Sequence, residues 1–322
     1  MLVRKRDNKF PNMIKPVVIP HNVSIAGTAF VCMYDFANGH RAPVFEVMSM
    51  HGLNQIIGHA KFNNRQYGNV YYRGQCNLYD KLMPSLFRGC KKTRVASDLK
   101  GIIKKIIADK ELANVLKVDM KDLNRSTIKV EGILQHYGLP TRFLDLVDNH
   151  WIALWMGNNY FESKKIKNKY CHFVSRTVCF EDYATGPRPI HTSDEEFYQY
   201  ILLLALPYSV NHKEGIFDTD NHYLVDLRQA LPSVFLRPHA QHGLVARNKM
   251  KTETSVDNYD MASDVVGILK LRIDRVTQWL GSGMMLTQNN LFPPASIDCG
   301  YDILLSRKDI FPKPKFQIAV FF

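Results

Sequence analysis

The run Tyr200-Ile-Leu-Leu-Leu-Ala-Leu-Pro207 constrains this chain more than any other segment. It is apolar without alternation and is closed by a proline. About 20 such residues are needed to cross a bilayer, so the run is too short for a membrane span. It predicts a strand buried inside a folded body. With 46% hydrophobic residues in 322, the chain can build a substantial core around that strand, and a disordered chain is excluded.

Other elements follow from local pattern. Gly68-Asn-Val-Tyr-Tyr-Arg-Gly-Gln75 is rich in β-branched and aromatic residues, which predicts a strand with Arg73 near its exit. From Ser97, read as the helix cap, Leu99, Ile102, Ile103, Ile106 and Ile107 share one helical face, and Lys100, Lys104 and Lys105 share the other. A second helix is predicted to run to about Tyr137 and to stop at Gly138 and Pro140. A third is predicted to follow Asp148, with Trp151, Ile152, Leu154 and Trp155 making an apolar surface. Ser24 to Phe36 reads as a strand or hairpin, residues 51–60 as a short helix, and 265–273 and 316–321 as strands.

No internal repeat or low-complexity linker divides the chain. The expected fold is α+β: one mixed-sheet domain with helices grouped in the N-terminal half. Its expected layout is an N-terminal extension at 1–49, the main domain at 50–306 and a completing strand within 307–322.

Charge points to a polyanionic partner. Lys and Arg number 42 against 30 Asp and Glu, a formal net charge of +12. Between Arg88 and Lys129 there are 12 basic residues and five acidic ones. Lys91, Lys92, Arg94, Lys104 and Lys105 are the candidate contacts to nucleic acid, and the competing reading is a solvated helix face. Six scattered cysteines form no C-x-x-C pair, which suggests neither a zinc site nor a disulfide framework and fits reduced thiols in a cytoplasm. No export signal is read at the basic, proline-interrupted start. No membrane association is expected.

Three blocks occur in order: Tyr72-Arg73-Gly74-Gln75, Leu86-Phe87-Arg88-Gly89, and Leu134-Gln-His-Tyr-Gly-Leu-Pro-Thr-Arg-Phe-Leu-Asp145. Ala153-Leu-Trp, Arg237-Pro-His-Ala-Gln-His-Gly243 and Asn290-Leu-Phe-Pro-Pro294 follow. Together they resemble the FRG-domain family, named for a Phe-Arg-Gly motif, over roughly residues 50 to 306. Leu146 stands where a tryptophan often follows the aspartate, and Pro294 and Ala295 stand where acidic residues are usual.

A weaker similarity links the layout to ADP-ribosyltransferases. It implies a transferase-like core that uses NAD as substrate, with Arg73, Thr141 and Gln241 as catalytic candidates. Arg73, Gly74, His136, Tyr137, Thr141 and Asp145 would then contact NAD. In that scheme Arg73 grips the diphosphate by forked hydrogen bonds and is oriented by Thr141, while Tyr137 stacks on nicotinamide. Gln241 binds ribose hydroxyls or the acceptor. The role implied is a toxin or effector of bacterial anti-phage defence, modifying RNA or single-stranded DNA and held by an antitoxin. The catalytic carboxylate stays open among Glu131, Asp145 and Glu253.

Plainer readings stand beside these. Arg73 can be an ion-pair partner of Asp145, Tyr137 a core residue, His136 a partner for helix-end carbonyls, Arg142 a residue behind the site or on the surface, and Phe87-Arg88-Gly89 an architectural turn. The alternative function is a non-catalytic nucleic-acid- or protein-binding module. His239-x-x-His242 lacks companion ligands, so no metal is expected. Gly281-Ser-Gly283 lacks the rest of a dinucleotide fingerprint, and neither a P-loop nor a Gly-x-Ser-x-Gly elbow occurs.

Overall fold

A computed structural model describes residues 15–88, 95–165, 169–176, 197–209, 211–249, 255–281, 284–311 and 316–321. The expected buried strand is β7 (Tyr198–Pro207). Its alternate residues feed two apolar cores. Ile201, Leu203 and Ala205 enter one, and Tyr200, Leu202, Leu204 and Leu206 enter the other. That period of two explains a run with no polar positions, because both faces of the strand are covered.

The remaining strands are β1 (Thr28–Asp35), β2 (Arg41–Val47), β3 (Gly68–Gln75), β4 (Leu144–Val147), β5 (Asn159–Lys165) and β6 (Lys169–Ser175). After β7 come β8 (Asn211–Lys213), β9 (Ile216–Asp218), β10 (His222–Asp226), β11 (Gly243–Asn248), β12 (Val265–Arg272) and β13 (Val320–Phe321). Among the described residues, ten of them form one sheet in the order β1-β2-β12-β7-β3-β4-β11-β10-β9-β8. The β12–β2 pair is parallel and its other neighbouring pairs are antiparallel. The sheet is therefore mixed, as expected. A second sheet has the order β13-β6-β5.

Three fourteen-residue helices lie in the N-terminal half: α1 (Met50–Asn63), α2 (Val95–Ala108) and α4 (Leu123–His136), with the short α3 (Lys110–Val115) between the last two. Leu53, Ile56, Ile57 and Ala60 form the buried stripe of α1, and Ser49 caps it by accepting from the Gly52 amide at 3.0 Å. In α2, Leu99, Ile102, Ile103 and Ile106 point inward while Lys100, Lys104 and Lys105 are exposed. This helix starts at Val95, so Ser97 sits inside its first turn and is not its cap.

α4 ends as its sequence predicts, with Gly138 at φ +87°. α5 (His150–Gly157) is capped by Asn149, which accepts from the Trp151 amide, and not by Asp148, which pairs with Arg228 at 2.7 Å. The expected strand at 316–321 is a strand only at Val320–Phe321, where it pairs in parallel with β6. Among the described residues no helix is long and apolar enough to cross a membrane.

Candidate functional site

The central strands part where the site lies. β3 touches β4 through one residue pair, Tyr72 with Val147, and beyond it a cleft of about 540 Å³ opens. Gly74 fixes how close α5 stands to β3: a Cβ on it would come within 1.8 Å of the Ala153 carbonyl oxygen. The glycine of the Arg-Gly-Gln block is thus required by helix packing, whether or not a ligand approaches it.

Arg73 projects into this cleft. Its Nη1 donates to the main-chain carbonyl of Asp145 at 2.8 Å, and its Nε donates to Gln75 Oε1 at 3.1 Å. The Asp145 carboxylate accepts instead from Gln135 Nε2 at 2.6 Å. Gln135 is held in turn through its Oε1, which accepts from the Thr141 hydroxyl at 2.7 Å and the Ser85 hydroxyl at 3.1 Å. The chain of bonds runs from two hydroxyls, the buried one of Thr141 and the part-buried one of Ser85, through one amide to one carboxylate. Its terminal member is open to the cleft, with 44% of the Asp145 side chain accessible.

Electrostatics distinguish the three ionisable groups here. Burial, reinforced by the nearby Arg88 charge, lowers Arg73 to about 10, which leaves it cationic at neutral pH. Burial raises the Asp145 carboxyl, and Arg73 acts against that shift. His136 Nδ1 lies 3.9 Å from Asp145 Oδ1, but burial and then the Arg237 charge push His136 down to about 3. A neutral imidazole therefore lines the cleft. Its ring fits because residue 243 is glycine, where a Cβ would stand 2.5 Å from His136 Cε1.

Part of the lining is aromatic. Phe161 of β5, Phe173 of β6, Phe292 and Phe321 of β13 all line the cleft. Ring centroids are 4.5 Å apart for Phe173 and Phe292, 4.9 Å for Phe292 and Phe321, and 5.5 Å for Phe161 and Phe173. Phe161 is half exposed. The lining thus combines a cationic, hydrogen-bonding group of residues with a cluster of apolar rings.

Of the residues expected from sequence, Arg73, Gly74, His136, Asp145 and Gln241 line this one cleft. Gln241 is also anchored, its Nε2 donating to the Leu291 carbonyl at 2.6 Å. Tyr137 and Thr141 stand behind the wall. Tyr137 is fully buried and its hydroxyl donates to Asp298 Oδ2 at 2.6 Å, so it does not offer a ring to a ligand. Thr141 is likewise enclosed and serves Gln135, not Arg73.

Among the carboxylates, Asp145 is the one beside Arg73. Glu131 is fully buried and held by a fork from Arg142, with Nε at 2.9 Å and Nη2 at 2.6 Å. Burial acts to raise Glu131, but Arg142 and Arg247 hold it below the usual carboxylate range. Arg142 is accordingly a buried structural residue, not a surface one. Glu253, Lys91, Lys92 and Arg94 lie outside the described residues.

Sequence reasoning did not assign Ser85, Gln135 or Arg88 to the site, although all three line it. Gln135 and Arg88 lay within the quoted motifs, which was the available signal. Of the four rings, Phe292 lay in the quoted block Asn290-Leu-Phe-Pro-Pro294, whereas Phe161, Phe173 and Phe321 lay outside the quoted motifs.

His239 is exposed and His242 contacts Asp148 at 3.2 Å. Among the described residues no group of three or more His, Cys, Asp or Glu is placed to hold a metal ion. Another hollow, of about 450 Å³, brings Asp302, Ser306 and Lys308 near Phe311 without a comparable polar network.

No curated protein and no solved structure matches the chain. The family model for the FRG domain matches residues 68–165, which run from the first residue of β3 to the last of β5 and include Arg73, Gln135 and Asp145. On that match and on the motif residues gathered at the cleft, this chain contains an FRG domain.

Proposed function

We propose that the cleft takes NAD and transfers its ADP-ribose to single-stranded nucleic acid. The observation that carries the reading is that Arg73 and Asp145 line one cleft together with four phenylalanine rings. NAD combines a diphosphate with flat heteroaromatic rings, and those two chemistries match the cationic and the aromatic parts of the lining. A volume of about 540 Å³ falls in the range of roughly 300–1,000 Å³ usual for small-molecule sites.

In this reading the Arg73 guanidinium, with Arg88 beside it, supplies forked donors to the diphosphate. The phenylalanines give a ring a surface to stack on. During transfer the bond between nicotinamide nitrogen and ribose C1′ breaks, and its electron pair leaves on that nitrogen. An acceptor oxygen or nitrogen then bonds to C1′ and loses its proton. C1′ passes through an oxocarbenium-like state, and ionised Asp145, fixed by Gln135, is the group suited to stabilise it. His136, neutral, serves as a hydrogen-bonding wall and not as a charge.

The net charge of +12 and the exposed Lys104 and Lys105 support a polyanionic acceptor. A role as a toxin of anti-phage defence, restrained by an antitoxin protein, follows from the resemblance to ADP-ribosyltransferases alone.

The test uses the full chain, NAD labelled in its adenylate phosphate, and RNA or single-stranded DNA. Label on the nucleic acid with matching release of nicotinamide is the expected result. Release without labelling moves the acceptor elsewhere. Neither release nor labelling, with nucleic acid still bound, favours the non-catalytic binding module. Reversing Lys104 and Lys105 to Glu is expected to weaken nucleic-acid binding and flatten its salt dependence.

A further inference from the structure

Arg237, in the short helix Leu236–Ala240, is wholly buried. Its guanidinium centre lies 4.3 Å from the Phe321 ring centroid, 4.4 Å from Tyr137, 4.7 Å from Tyr301 and 5.3 Å from Phe292. Its Nη1 donates to the His136 carbonyl at 3.2 Å, while Nε and Nη2 are buried without a hydrogen-bond partner. Burying a cation costs several kcal/mol, so packing alone is a poor reason for an arginine here. What compensates is the ring faces around it.

Two of those rings, Phe292 and Phe321, are walls of the cleft. The segment that brings Phe321 is docked on the stop of α4. The Ala319 amide donates to the Tyr137 carbonyl at 3.2 Å, and the Phe321 amide donates to the Tyr301 hydroxyl at 3.1 Å. Gly138 leaves the room, since a Cβ there would stand 2.7 Å from the Ala319 Cβ. The His-Tyr-Gly block is therefore a docking platform for residues 316–321, and Arg237 is the cation at its centre.

We propose that Arg237 is a positioning residue that clamps the strand carrying Phe321 onto the α4 stop and thereby forms the aromatic half of the cleft. It touches no ligand itself. The proposal deepens the NAD reading by naming what builds the ring-stacking side, but the clamp can be measured without NAD.

The experiment compares the full chain with Arg237→Met and Arg237→Lys by hydrogen exchange and by NAD titration calorimetry. Met fills similar volume without charge, whereas Lys keeps a cation among the rings. In Arg237→Met the Ala319 and Phe321 amides are expected to exchange at least about tenfold faster, with β3 and β7 protection unchanged. NAD affinity is expected to fall by about tenfold or more, with Arg237→Lys recovering most of both losses.

Unchanged exchange at 319 and 321 in a folded Arg237→Met protein overturns the proposal, as does equal loss in the Lys and Met variants. Should Arg237→Met fail to fold, Phe321→Leu removes the ring from the other side, and unaltered protection of Ala319 then overturns the clamp. If the parent chain binds no NAD, the proposed function falls while the exchange result still decides the role of Arg237.

Discussion

Arg73 and Asp145 share a cleft without neutralising each other: the guanidinium takes the aspartate's main-chain carbonyl at 2.8 Å, and the carboxylate turns to Gln135 at 2.6 Å. A simple ion pair would have consumed both charges. Here the fork keeps donor capacity and the carboxylate keeps an oxygen toward the cleft, so each can meet a different part of one ligand.

Arg73→Ala is expected to lower NAD affinity by at least about tenfold while changing the unfolding free energy by no more than about 1–2 kcal/mol. Arg73→Lys should bind nearly as poorly, because a point charge lacks the planar fork. Titration calorimetry beside urea unfolding checks both. Parent-like affinity in Arg73→Ala removes it from the site, and gross unfolding makes it a structural residue.

Asp145→Asn keeps shape and loses charge. ADP-ribose transfer should fall by about 100-fold or more with NAD affinity changed by only a few fold, since the carboxylate acts mainly on the transition state. Thr141→Ala, which removes the hydroxyl that donates to Gln135 and accepts from the Phe143 amide, should cost about 1–3 kcal/mol of stability and slow transfer less than Asp145→Asn does. Single-turnover rates order the two variants, and the reverse order would contradict the relay from Thr141 to Asp145.

Glu131→Ala leaves Arg142 buried without its carboxylate and should destabilise by about 3–5 kcal/mol. The folded-state pKa of Glu131 is depressed, so its stabilisation is present above the unfolded-state value near 4.5 and is lost as pH falls through the folded value. Denaturant unfolding at neutral pH tests the magnitude. A loss below about 1 kcal/mol would mean that the fork is only geometric.

His136 has the opposite dependence to a stabilising histidine. Its folded value is about 3 against 6.5, so between those values the unfolded chain holds a proton that the folded chain refuses. Stability should fall as pH drops below about 6.5, by up to about 1.4 kcal/mol per pH unit from this group, with no contribution above pH 7. His136→Gln should flatten the slope between pH 7 and 5 relative to the parent. Identical slopes would return His136 to the ordinary range.

The sequence made some of this plain and could not make the rest so. A run with no polar position identified β7, and the block from Leu134 to Asp145 marked the region of the cleft. Arg73 was legible because it sits at a strand's exit. Tyr137 and Thr141 were assigned to the ligand because motif residues cluster at sites, but a motif also marks packing. Tyr137 carries a buried cation–ring stack and Thr141 an amide relay. Neither job leaves a periodic signature. The aromatic side depends on which strands become neighbours, and Phe161 and Phe321 meet only through the β13-β6-β5 order.

The strand order also has a consequence during synthesis. β3, complete at Gln75, pairs along its whole length with β7, and β4 pairs with β11, each partner made well after the matched span ends at residue 165. At ~5–20 residues per second, the nascent β3 waits on the order of ten seconds for its neighbour. Through that interval β3 has at most the single Tyr72–Val147 pairing with β4. The 68–165 segment expressed alone would meet the same condition permanently, as a polypeptide with open strand edges and a strong tendency to self-associate.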